Sequence, residues 1–145
     1  MVDTDDSWMA EALKEARLAE AEGEIPVGAV VVCKGVVVGR GHNETERLAD
    51  VTAHAEILAI TAAAQRLGAK YLNDCTLYVS LEPCVMCAGA LAWAQIGRIV
   101  YGASDPKRGY ARLSPSPLHP KTVVASGVGA QEATQLVKLF FKGRR

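Results

Sequence analysis

The sequence predicts an α/β fold: a three-layer α/β/α sandwich around a mixed central sheet of about five strands. Three observations lead there. Strand-like and helix-like runs interleave in the order α-β-β-α-β-α-β-β-α. The first strand-like run is continuously apolar rather than alternating, as expected of a strand covered on both faces. The chain has 145 residues, 50% hydrophobic and 22% charged, which suits one packed domain over 1–145 and excludes a disordered chain.

Each element has its own signal. Residues 8–22 read as a helix: Met9, Leu13, Ala16 and Leu18 supply apolar positions, and Ala10, Ala12 and Ala19 favour helix. Asp5, Asp6 and Ser7 suit a helix N-terminus, and Gly23 suits the stop. Val27–Cys33 is a β-rich run, Lys34-Gly35 a turn, and Val36–Val38 the returning strand. Residues 52–67 read as a helix ended by Gly68, and Thr76–Leu81 as a strand. Pro83 fits the first turn of a second buried helix reaching about Ala94. Short strands follow at Ile99–Tyr101 and Thr122–Ala125. A final helix over Gln131–Lys142 turns Leu136, Leu139 and Phe140 inward. Four prolines (Pro106, Pro115, Pro117 and Pro120) keep residues 104–121 irregular, and a loop of that length is often functional.

No run approaches the ~18–20 consecutive apolar residues of a membrane-spanning helix. The acidic start, Met-Val-Asp-Thr-Asp-Asp, lacks the basic and apolar regions of a secretory signal, so a cytoplasmic location is expected. Four cysteines in such a chain point to metal or catalytic use rather than disulfides. The net charge is zero but unevenly spread: −6 over residues 1–24, −1 over 25–65 and +7 over 66–145. A basic C-terminal half suits a polyanionic partner, or is ordinary solvated surface.

The chemistry lies in His54-Ala55-Glu56 and Pro83-Cys84-Val85-Met86-Cys87. A catalytic zinc takes three protein ligands and keeps a fourth position for water. Cys84 and Cys87, three apart, share one face of a helix, and His54 supplies a nitrogen from another helix start. Both pieces fall at expected helix N-termini, where the dipole favours thiolates. Glu56 is the sharpest clue. A structural zinc site needs a fourth ligand and no adjacent acid, whereas a hydrolytic site needs a base beside a water whose pKa zinc lowers to roughly 7. A lone Cys-x-x-Cys is also compatible with a redox pair or half of a structural zinc site. His-x-Glu together with Pro-Cys-x-x-Cys is the zinc deaminase pattern.

With these residues in view, the chain resembles the cytidine deaminase superfamily, and within it the bacterial tRNA-specific adenosine deaminases. The resemblance runs through Ile25-Pro26-Val27-Gly28-Ala29, His42-Asn43, Thr52-Ala53-His54-Ala55-Glu56 and Cys75-Thr76-Leu77-Tyr78-Val79. It continues through Leu81-Glu82-Pro83-Cys84-Val85-Met86-Cys87-Ala88-Gly89-Ala90, Arg98-Ile99-Val100-Tyr101-Gly102-Ala103 and Asp105-Pro106-Lys107. It implies a cytidine deaminase-like fold and a homodimer. It also implies one Zn2+ per subunit on His54, Cys84 and Cys87, with Glu56 as proton shuttle. Asn43 matches the asparagine that bonds the target base, and Val27 and Ala55 lie in segments lining the base pocket. The implied reaction is hydrolytic deamination of adenosine to inosine at the wobble position of a tRNA anticodon. The chain departs from the family at Val51, where proline is frequent, and over 108–115, in the region that contacts the anticodon loop. There Lys107, Arg108, Tyr110 and Arg112 are the candidates for RNA contact, by phosphate pairing and base stacking.

Two other functions share these motifs: a deaminase of free guanine or cytosine, without need of a basic surface, and a non-catalytic zinc protein, without use for Glu56. Among the remaining residues, Cys33 and Cys75 read as buried structural cysteines and His42 and His119 as surface or locally bonded histidines. Trp8 and Trp93 read as packing groups. Lys138, Lys142, Arg144 and Arg145 form a basic patch or complement the last helix dipole.

Overall fold

A computed structural model describes residues 4–143. Arg144 and Arg145 lie outside the described residues. Helix α1 spans Asp5–Ala21, strands β1 Gly28–Cys33 and β2 Val36–His42, α2 Ala55–Leu67, β3 Cys75–Leu81 and α3 Val85–Trp93. Strand β4 spans Arg98–Ala103, β5 Val123–Ser126 and α4 Ala130–Lys142. The five strands form one mixed sheet in the order β2-β1-β3-β4-β5. Strand β1 runs antiparallel to β2 and β3, while β3, β4 and β5 are mutually parallel.

Helices cover both faces. Ala55, Ala59 and Ala63 of α2 and Ala88 and Leu91 of α3 pack on Ala29, Val31, Leu77, Val79 and Ile99. Met9, Ala12 and Leu13 of α1 and Ala133 of α4 pack on the other face, against Val30, Val32, Tyr78 and Val100. Strand β1 contributes to both cores, which explains its unbroken apolar run. Residue by residue its side chains alternate between the α2/α3 core and the α1/α4 core.

The differences from the sequence expectation have local causes. Helix α1 starts earlier, because Thr4 caps it and forms a reciprocal capping box with Ser7. Strand β2 runs on to His42 through Gly39 and Gly41, which sequence patterning reads as breaks. A Cβ at either glycine would meet the backbone of α2, at Ala59 and Ala55, so their lack of a side chain lets α2 settle against the sheet. Helix α2 starts at Ala55 rather than residue 52, and α3 at Val85, so Pro83 precedes the cap instead of occupying the first turn. The irregular 104–121 segment contains one 3-10 turn, Tyr110–Arg112. Trp93 is not a packing group: it is 84% exposed at the end of α3. Leu139 of α4 likewise faces outward, at 55%. Cys33 is half-buried rather than buried, because it ends β1 at the rim of the core.

Candidate active site

Two helix starts meet at the end of the sheet. His54 is the N-cap of α2 and Cys84 the N-cap of α3, each with extended backbone. Glu56 therefore falls in the first turn of α2 and Cys87 in the first turn of α3. His54 and Glu56 are two apart and would not share a face in mid-helix, but the cap residue projects past the helix end while Glu56 turns back into the interior at 4% exposure.

His54 Nδ1 lies 3.6 Å from Cys84 Sγ and 3.4 Å from Cys87 Sγ. All three donor atoms fall within 4.8 Å of one another. A tetrahedral zinc with bonds of ~2.0–2.1 Å to nitrogen and ~2.3 Å to sulfur separates N and S by roughly 3.5 Å. The donor set therefore fits zinc in both chemistry and spacing. No fourth histidine, cysteine, aspartate or glutamate joins this cluster among the described residues, so one tetrahedral position stays open.

The electrostatics fit the same arrangement. A hydrogen bond from Cys87, reinforced by His54, brings the Cys84 thiol down to about 3 against the opposing effect of burial. The Cys84 sulfur beside it, together with burial and Glu56, raises Cys87. The pair thus holds one thiolate readily. Hydrogen bonding to Cys84 raises His54 despite burial. Burial pushes Glu56 up to about 7, opposed by a backbone hydrogen bond and by His54. A carboxyl group poised near neutrality both accepts and releases a proton.

Of the other expected residues, Asn43 is buried at the end of β2. Its side chain donates to Ile25 O at 3.4 Å and accepts from Thr45 N at 3.3 Å, and its main chain bonds Val27 O. Val27 is partly buried against the α2/α3 core, and Ala55 is fully buried in it. Lys107, Arg108 and Arg112 are exposed. Tyr110 is not: it is 6% exposed and packs edge-to-face on Tyr101 with ring centroids 6.3 Å apart, so the structure uses it as core rather than as an exposed stacking platform. His42 is neither a surface nor a locally bonded residue: each ring nitrogen lies 3.0 Å from a carboxylate distant in sequence, of Glu15 in α1 and of Glu22 just after it. His119 accepts from Lys121 N.

Sequence reasoning missed three buried carboxylates: Glu15, which faces Arg40 and His42, Glu82 and Glu24. Glu82 accepts from Asp105 N at 2.9 Å and Ala111 N at 3.0 Å, and it fills the space a Cβ would need at Gly109. Gly109 also bridges to Cys84, and Tyr110 N bonds Pro83 O at 3.0 Å. The loop carrying Lys107, Arg108 and Arg112 is thereby tied to the Cys84 segment. Glu24, 1% exposed, accepts from Glu46 N and Arg47 N and braces the loop after Asn43. The available signal was a lone acid directly before a proline-led motif. Glu82→Gln replaces one acceptor by a donor facing an N–H, a loss of about 1–3 kcal/mol for an unsatisfied buried group. The expected result is faster hydrogen exchange at the Asp105 and Ala111 amides with zinc content unchanged. Unaltered exchange would show that the loop is held by its other contacts.

Comparison with known proteins agrees with the geometry. The profile of the cytidine and deoxycytidylate deaminase zinc-binding region matches residues 2–103. The chain belongs to this family. It is 43% identical over 143 residues to a tRNA-specific adenosine deaminase of Agrobacterium fabrum, covering 95% of this chain and 94% of that protein. A structure from a study of A-to-I editing by tRNA:A34 deaminases superposes with a TM-score of 0.84 at 44% identity. That match covers 89% of this chain and 97% of the other. The guanine deaminase of Bacillus subtilis matches at a TM-score of 0.67 and 39% identity, over 70% of this chain and 66% of its own. The protein is thus a zinc deaminase with the cytidine deaminase-like fold. No helix among the described residues is long and apolar enough to cross a membrane.

Proposed function

We propose that this deaminase converts adenosine to inosine at the wobble position of a tRNA anticodon. The observation that carries the chemistry is the tetrahedral spacing of His54, Cys84 and Cys87 beside the buried, non-ligating Glu56. The substrate follows from the relatives acting on tRNA, which match nearly the whole chain. The exposed Lys107, Arg108 and Arg112 support it. Zinc held by the three donors would lower the pKa of a water in the open position to roughly 7. Glu56 takes a proton from the attacking water and delivers it to the amine leaving C6. Adenosine plus water gives inosine plus ammonia. Asn43 holds the flipped base, with Val27 and Ala55 in the pocket wall. Lys107, Arg108 and Arg112 pair with phosphates of the anticodon loop.

One such domain per chain acts as a homodimer in the cytoplasm. The exposed Met86 and Trp93 on one face of α3, with Val85 beside them, supply an apolar surface for the second copy. Deamination of free guanine is the second reading, favoured by the guanine deaminase match.

The test compares an adenosine-bearing anticodon stem-loop with free guanine and cytosine. Turnover of the stem-loop is expected, with binding that weakens steeply with salt. Each neutralised phosphate of a single strand contributes about 0.7 to the log–log slope. Changing Lys107, Arg108 and Arg112 together to glutamine flattens that slope by up to about 2 and raises KM, with zinc content unchanged. Turnover of guanine or cytosine without salt dependence, and none of the stem-loop, overturns the tRNA reading.

A further inference from the structure

Two of the four cysteines are not part of the zinc site. Cys33 ends β1, Cys75 opens β3, and they stand directly opposite each other in the antiparallel β1–β3 ladder. Cys75 N–H donates to Leu72 O at 3.1 Å and Cys75 O accepts from Gly97 N at 3.2 Å, so neither group is turned towards Cys33. The pair is therefore of the non-hydrogen-bonded kind, whose Cα atoms lie ~4.5 Å apart. That spacing lies within the ~4.4–6.8 Å a disulfide spans. The two-residue period of a strand puts both side chains on the α2/α3 face, with Val31 and Leu77 next in line. Cys33 Sγ lies at the rim of that face, where it donates to Asp74 O at 3.6 Å, next to Cys75 in the chain.

We propose that Cys33 and Cys75 are an oxidisable dithiol that closes to a cross-strand disulfide by exchange with a low-molecular-weight disulfide.

The two sulfurs play different parts. Cys33 is half-exposed, so it meets the reagent first. Cys75 is 2% exposed and is held protonated by burial and by Cys33, which push its thiol up to about 12. In the first step Cys33, as thiolate, attacks the reagent RSSR. A Cys33–SR bond forms and RS− leaves. In the second step Cys75 gives its proton to solvent base and attacks Cys33 Sγ, forming the Cys33–Cys75 bond and expelling the second RS−. Two protein thiols are oxidised and one RSSR is reduced to two RSH.

The closed loop contains residues 34–74, hence β2, Asn43 and the α2 segment with His54 and Glu56. The dithiol lies at the end of β1 away from Val27, six residues or ~20 Å along the strand from it. Closure therefore restrains the unfolded chain without touching the zinc ligands.

The experiment incubates the purified zinc-loaded protein with glutathione disulfide. The readouts are intact mass, peptide mapping, zinc content and thermal unfolding. The expected result is loss of two hydrogens, a peptide joining Cys33 to Cys75, unchanged zinc and a Tm raised by several degrees. Cys75→Ala stops at a mixed disulfide on Cys33, and Cys33→Ser forms no disulfide at this site. A wild-type chain that stays reduced, that stops at the mixed disulfide, or that links Cys84 or Cys87 with release of zinc overturns the proposal. None of these readouts depends on the substrate, so failure of the tRNA reading leaves them standing.

Discussion

Glu56→Ala is expected to abolish turnover while the protein stays folded and zinc-loaded. The carboxylate is 4% exposed, sits in the first turn of α2 and is absent from the donor cluster. In the proposed mechanism it moves protons and does not hold the metal. A single positioned acid–base group contributes ~10²–10⁴-fold. In the proposed mechanism one carboxylate serves both the attack of water and the departure of ammonia, so the expected loss falls at or beyond the upper end of that range. Glu56→Gln separates proton transfer from packing, since it keeps the volume and removes the charge. Burial disfavours the ionised carboxylate, so the glutamine variant should unfold at no lower temperature than wild type and be equally inactive. Zinc-loaded protein of either variant that deaminates at a rate comparable to wild type removes Glu56 from the mechanism.

How much of this was legible in the sequence depends on what each residue reports. The zinc donors were legible because coordination demands particular residue types at particular spacings, and His54, Cys84 and Cys87 carry both. Strand β1 was legible because an unbroken apolar run has few other uses. The extent of β2 was not, because Gly39 and Gly41 are there to admit α2, a tertiary reason that local patterning reads as a break. Trp93 was misread because a tryptophan on an apolar helix resembles core until the other side of that helix is seen to be bare. Glu82 was invisible as a function because its partners are backbone N–H groups at Asp105 and Ala111, which carry no residue-type signature. Tyr110 offered an aromatic ring in a basic loop, and only the packing on Tyr101 shows that the ring is already used.

Cys87→Ala is expected to cost both the metal and much of the stability. The sulfur is fully buried and 3.4 Å from His54 Nδ1, so its removal leaves two donors where three are needed. Zinc binding is coupled to folding, because the unfolded chain does not assemble the site, so affinity lost is stability lost. Zinc per chain should fall from about one to near zero, and the unfolding temperature should drop towards that of wild type treated with a chelator. The chelated wild type serves as the reference for the metal's share, and any further drop measures the cavity left by the sulfur. Full zinc occupancy in the variant would place the metal elsewhere. Among the described residues the other geometric candidate is Glu22, His42 and Glu44. That cluster is a poor match for zinc beside a cysteine-bearing alternative: two of its donors are carboxylates, Glu22 is exposed, and the His42 ring nitrogens already face Glu15 and Glu22 at 3.0 Å. Cys33→Ser provides the matched control, since it removes a thiol of the same chain outside the donor set and should keep its zinc.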